Sequence, residues 1–166
     1  MLFWATGGPS WRQPWPVADP SSDPCIDGWY GVHCNFRGQI KTLRLASHGL
    51  VGYLPAAFTR LSTLEELWRS CDEKMELRDV SSNALSQSLP NTIGQLRALR
   101  VLRLNNNAFT GPVPTELSQL PRLEVLAIEL NQFQAPLPNA VYSMQAKGLA
   151  MVTFDVSLTP TVFDSQ

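Results

Sequence analysis

LRALRVLRLNNNAFTGPVPTELSQLPRL, running from Leu96 to Leu123, carries apolar residues whose spacing changes part-way along. Before Asn107 they are Leu99, Leu102 and Leu104, ending in the alternation of a short strand. After it come Phe109, the loop residues Gly111, Val113 and Pro114, and then Leu117, Leu120 and Leu123 at helix-like three-residue spacing. No single helix or strand keeps such a row on one side, so the stretch reads as strand, turn, loop and short coil in sequence.

Steps of 24 residues place the same frame on Asn83, Asn107 and Asn131. Around Asn131 the matching residues are Leu123, Leu126, Ile128, Phe133, Leu137 and Pro138, with Ala135 where the loop glycine was. Around Asn83 the second half fits through Leu85, Leu89, Pro90, Ile93 and Leu96, with Gln87 for the glycine. Upstream, Leu43, Leu45, Leu50, Gly52, Leu54 and Pro55 fit with His48 at the Asn position; downstream, Leu149, Val152, Phe154 and Ser157 open a fifth unit. The pattern L-x-x-L-x-L-x-x-N-x-L is the leucine-rich repeat signature, present about four and a half times. A single unit cannot cover its own apolar positions, so stacking is what buries them.

The Leu-Pro or Val-Pro seven residues after each origin makes residues 40 to 159 resemble the plant-type leucine-rich repeats of secreted proteins and receptor ectodomains. Asp23, Pro24, Cys25, Trp29, Gly31, Val32 and Cys34 resemble the cysteine-containing N-terminal cap of that family, and ATGGPSW (residues 5 to 11) is similar to the turn after its first helix. The resemblance implies an α/β right-handed solenoid with a short parallel β-sheet on its concave face, capped by residues 1–39 and built of residues 40–166. It also implies pairing of Cys25 with Cys34, in a Pro- and Trp-rich segment that buries little by itself, where a disulfide contributes roughly 2 to 3 kcal/mol on the chain-entropy model. That pair points to an oxidising compartment, secreted or the ectodomain of a membrane protein; two reduced thiols in the cytosol are the alternative. The opening MLFWATGG is too short for a signal peptide, so the expected start lies inside the first cap helix.

Thirteen basic and fourteen acidic residues leave a net charge of −1, which gives no field to attract nucleic acid or anionic lipid. No apolar run approaches the roughly 18 residues of a membrane span. His33 falls among cap residues and His48 on a ladder position, and Cys71 has no histidine placed beside it, so no nucleophile–base pair is expected. No cofactor is expected and no metal, since no His/Cys cluster has ligand spacing. Asn83, Asn107 and Asn131 read as a structural ladder whose amides bond turn backbone.

Binding remains. The residues alternating with the inward leucines face the concave side: Thr42, Arg44 and Ser47; Asp79 and Ser81; Arg103 and Asn105; Glu129; and Asp155. Arg44, Asp79 and Arg103 form one row, a solvated charge ladder on the plain reading and contact residues on the functional one. Five strands about 4.8 Å apart project only some 300 Å², below the roughly 800 Å² of a standard interface. The expectation is a non-enzymatic recognition protein that binds a protein, peptide or glycan; an intracellular scaffold, or a fragment of a longer protein without a function of its own, is the alternative.

The second repeat is too long: His48 to Asn83 spans 35 residues, 11 more than one unit. Removing Trp68 to Arg78 restores the frame, so residues 68–78 read as an insertion placed before strand 79–82. Helical spacing of Leu64, Leu67, Trp68, Cys71 and Met75, with Ser62 and Glu65 as a capping box, predicts a helix from Ser62 to Met75. Trp68 would be its contact residue; an insertion without a role, such as translated intron, is the plainer reading.

Overall fold

The computed structural model describes residues 2–45, 48–68, 83–146, 151–155 and 157 of the 166-residue chain. It opens with helix α1 (Leu2–Ala5), a 3-10 turn at Gly8–Ser10, and, after a Trp- and Pro-rich stretch, strands β1 (Val32–Cys34) and β2 (Ile40–Arg44). There follow β3 (Val51–Gly52), β4 (Glu66–Trp68), β5 (Ala84–Gln87), β6 (Val101–Arg103), β7 (Ala108–Pro112), β8 (Val125–Ala127), β9 (Gln132–Gln134), helix α2 (Asn139–Ala146) and β10 (Met151–Thr153).

One sheet has the order β1-β2-β4-β6-β8-β10, and every pairing from β2 onward is parallel; only the cap hairpin β1–β2 is antiparallel. Leu43, Leu67, Leu102, Leu126 and Val152 stand opposite one another across it and are all buried. A second parallel sheet, β3-β5-β7-β9, runs along the flank after each turn. The apolar spacing gives little hint of it, because β5, β7 and β9 each have a single buried residue, Leu85, Phe109 and Phe133, and β3 has none.

The prolines begin the third side of each coil. Pro55, Pro90 and Pro114 hold extended backbone and lead into 3-10 turns at Ala56–Arg60, Asn91–Gln95 and Thr115–Gln119, while Pro138 leads into α2. Each proline lacks an N–H to lose, yet its carbonyl accepts a hydrogen bond three residues on, from Phe58, Ile93, Leu117 and Val141. Gly111 turns the chain with a φ of 73°; Gln87 holds the equivalent place with a φ of 68°, a left-handed conformation that a side chain strains.

The asparagines tie coil to coil. Asn83, buried, accepts from the Leu50 N–H at 2.9 Å and donates to the Leu45 carbonyl at 2.8 Å. Asn107 accepts from Leu85 N–H and donates to the Leu104 carbonyl; Asn131 accepts from Phe109 N–H and donates to the carbonyls of Leu104 and Ile128. Backbone groups inside a solenoid turn have no water to bond, and the amide supplies a donor and an acceptor at once. His48 takes this place in the first repeat, where its Nε2 lies 2.9 Å from the Gln13 carbonyl in the cap.

The cap is held by aromatic rings. Trp11 packs edge-on to Phe3 and Trp15, His48 stacks on Tyr30 with centroids 4.7 Å apart, and the Trp11 indole donates to the Thr6 carbonyl at 2.7 Å. The Val51 and Tyr53 N–H groups donate to the carbonyls of Thr6 and Ala5, joining cap to solenoid. That approach requires a glycine between them: a Cβ on Gly52 would sit 2.2 Å from the Ala5 carbonyl oxygen, at a φ of 121°. Cys25 and Cys34 are joined in a disulfide.

The second repeat differs from the sequence reading. Ser62 and Thr63 form a turn and Glu66–Trp68 is a strand, so no helix starts at Ser62 and Ser62–Glu65 is no capping box. Leu67 is not cut off from its strand: it pairs directly with Leu43 and Leu102. Parallel pairing on both sides, with Leu64 and Leu67 fully buried, outweighs the helical spacing of the segment. The strand position assigned to 79–82 is therefore filled by 66–68, and the extra residues come after Trp68 in the chain. Residues 69–82, with Cys71, Asp79 and Ser81, lie outside the described residues.

Candidate functional site

Across the concave sheet the register aligns Thr42, Glu66, Val101, Val125 and Met151 in one row, and Arg44, Trp68, Arg103, Ala127 and Thr153 in another. Trp68, rather than Asp79, thus stands between the two arginines. Thr42 is buried, Arg44 is exposed, and Arg103, Asn105, Glu129 and Asp155 are half-buried; Ser47 lies outside the described residues. At the far end Glu129 accepts a hydrogen bond from the Thr153 hydroxyl, and the Asp155 carboxylate accepts from the Leu130 N–H at 3.0 Å. Asn105 Oδ1 is buried, with no hydrogen-bond partner among the described residues. The predicted concave residues thus fall in two groups: Thr42 and Arg44 near Trp68 and Arg103, and Glu129 near Asp155.

A second charged row was missed by the sequence reading. Along the edge where the strands begin, Lys41, Glu65, Arg100 and Glu124 stand on successive coils, linked backbone to backbone by the N–H of each donating to the carbonyl of the one before. Lys41 and Glu65 pair at 3.1 Å, and Arg100 grips Glu124 through two bonds of 2.9 and 3.0 Å. The Glu124 hydrogen bonds and charge raise the Arg100 guanidinium further above its already high value, helped by Glu65 and Glu66. Inside the same face Arg44 lies 3.7 Å from Glu66. A signal was present: Lys41 and Glu65 are 24 residues apart, and so are Arg100 and Glu124. Near this edge Glu65, Arg100, Arg122, Leu123 and Glu124 line an open depression of about 540 Å³.

His48, whose pKa is lowered, belongs to the junction, not to this face. Burial lowers that of His48, against the hydrogen bond to Gln13, and the Arg12 charge adds to the lowering. Among the described residues no group of three or more His, Cys, Asp or Glu side chains is placed to hold a metal, and no helix is long and apolar enough to cross a membrane.

Residues 98–120 match the sequence model of the family described as Leucine Rich Repeat. The fold is that of a leucine-rich repeat solenoid. The chain is 38% identical over 64 residues to a probable leucine-rich repeat receptor-like protein kinase of Arabidopsis thaliana, a match that covers 39% of this chain and 6% of that relative's length. Its fold resembles the ectodomain of BIR2 from Arabidopsis thaliana, with a TM-score of 0.68 at 22% identity over 86% of this chain and 70% of that one. It is also similar to the plant peptide hormone receptor RGFR1 in complex with RGF2, with a TM-score of 0.59 at 28% identity over 79% of this chain and 18% of that one.

Proposed function

We propose that this chain is a non-enzymatic recognition module that binds a protein or peptide, in extended form, across the concave sheet outside the cell. The observation that carries the reading is the open face itself. Successive parallel strands about 4.8 Å apart present the exposed Arg44 and Met151 and the half-buried Arg103 along one sheet. A ligand laid across the strands meets one side chain per coil, so its sequence is read by rows rather than by a pocket. Arg44 and Arg103, with Trp68 at the register position between them, are the proposed contacts at one end, with Thr42 and Asn105 beside them; Glu129 and Asp155 are those at the other. The similarity to a receptor solved with a peptide hormone supports a peptide, and the Cys25–Cys34 disulfide supports an extracellular setting. Residues 1–39 act as the cap and the rest as the reading surface.

Phage-displayed random peptides selected on the whole chain test this. Enriched sequences should lose binding at least about tenfold on Arg44→Glu/Arg103→Glu, while Gln134→Glu on the flanking sheet leaves it unchanged. Sequences bound equally by the arginine variant, or lost on the flank variant, would move the site off this face.

A further inference from the structure

Lys41, Glu65, Arg100 and Glu124 alternate in sign along one edge, one charge per coil. The side chains of Lys41, Arg100 and Glu124 are exposed, at 47%, 49% and 53%, and that of Glu65 is half-buried at 28%. The row is neutral as a whole, so it attracts neither a polyanion nor a polycation from a distance. What it matches is another row of alternating charges at the spacing of parallel strands, about 4.8 Å.

This chain carries such a row, and the order is self-complementary. Read forward it is plus, minus, plus, minus; read backward it is minus, plus, minus, plus. A two-fold axis crossing the row between Glu65 and Arg100 sets Lys41 against Glu124 of a second copy and Glu65 against Arg100 of that copy, each contact occurring twice. We propose that this edge is a weak, salt-sensitive homodimer contact, in which every ladder charge gains a second opposite neighbour from a second copy of the chain. The strip is about 15 Å long, narrower than a standard interface, so the association is weak and electrostatic in character. It leaves the Arg103 end of the concave face free.

Charge exchange separates this from a ladder that serves only its own chain. In Lys41→Glu/Glu124→Arg the row becomes minus, minus, plus, plus. That order breaks both close pairs within the chain, yet reversed it is still complementary to itself. Sedimentation equilibrium over a wide concentration range should show the wild-type mass rising from 18.4 kDa towards twice that at about 20 mM salt and falling back at about 500 mM. Glu124→Arg alone sets like charges opposite each other twice and should weaken association about tenfold or more. The double exchange should restore it to within about threefold of wild type, with circular dichroism confirming that both variants fold. A wild type that stays monomeric at low salt, or a double variant as impaired as the single one, overturns the proposal.

Discussion

Replacing Asn83 by alanine strands two backbone groups at once: the Leu50 N–H, now bonded at 2.9 Å, and the Leu45 carbonyl, at 2.8 Å. Asn83 is only 3% exposed, and both leucines are fully buried. Each stranded group costs about 1 to 3 kcal/mol, so the pair costs about 2 to 6, and a water entering the space of the lost amide recovers part of this. A net loss of about 3 kcal/mol is expected, which for a chain of this size lowers the melting temperature by roughly 6 to 12 °C. Urea unfolding followed by circular dichroism gives the difference, with exposed Asn91→Ala as the control that should stay within about 0.5 kcal/mol. Asn83→Asp sharpens the test. It keeps an acceptor for Leu50 but sets carboxylate oxygens against the Leu45 carbonyl, so it should destabilise at neutral pH and recover as acid protonates the carboxylate into a donor. A cost for Asn83→Ala no larger than the control's would refute the idea that the ladder binds the coils together.

Three further outcomes are expected. Because His48 has a lowered pKa in the folded chain, the unfolded chain takes up its proton first; stability should hold above about pH 6.5 and fall as pH drops from there to the folded value, a slope in melting temperature that His48→Asn should remove. Gly52→Ala drives a methyl into the Ala5 carbonyl and should cost about 2 kcal/mol or more, read as easier proteolysis of the cap than of the later coils. Deleting residues 69–79, which keeps strand Glu66–Trp68 whole, returns the interval from His48 to Asn83 to 24 residues and should raise the melting temperature with peptide binding intact; folded protein that no longer binds would make the excised residues the contact element.

The solenoid was legible because its rule is repetition: Leu43, Leu102 and Leu126 occupy one place in a frame that a single repeat already defines. The frame failed where two local patterns competed. Leu64, Leu67, Trp68, Cys71 and Met75 have helical spacing, and only the strands on either side of Glu66–Trp68 decide for extended backbone; that information lies 24 and 35 residues away in the chain. The flanking sheet escaped for another reason, since strands with at most one buried residue have no period to detect. Among the concave residues the register gave position but not partners. Glu66 is hidden beside Arg44 because the repeat frame puts Asp79 in that strand position, and the edge row is hidden because its residues precede the side chains that alternate with leucines.

The stacking of coils also has a mechanical consequence. Among the described residues each coil bonds to the coils beside it, through the Asn amides and the strand pairs, so a pull on the ends loads the links in series and the weakest yields alone. Tension should therefore peel the structure in steps, each releasing one repeat of roughly 80 Å of extended chain, with the step through the second repeat longer by about half. A module that gives way in instalments can lose an end coil under strain and still keep the remaining rows in order.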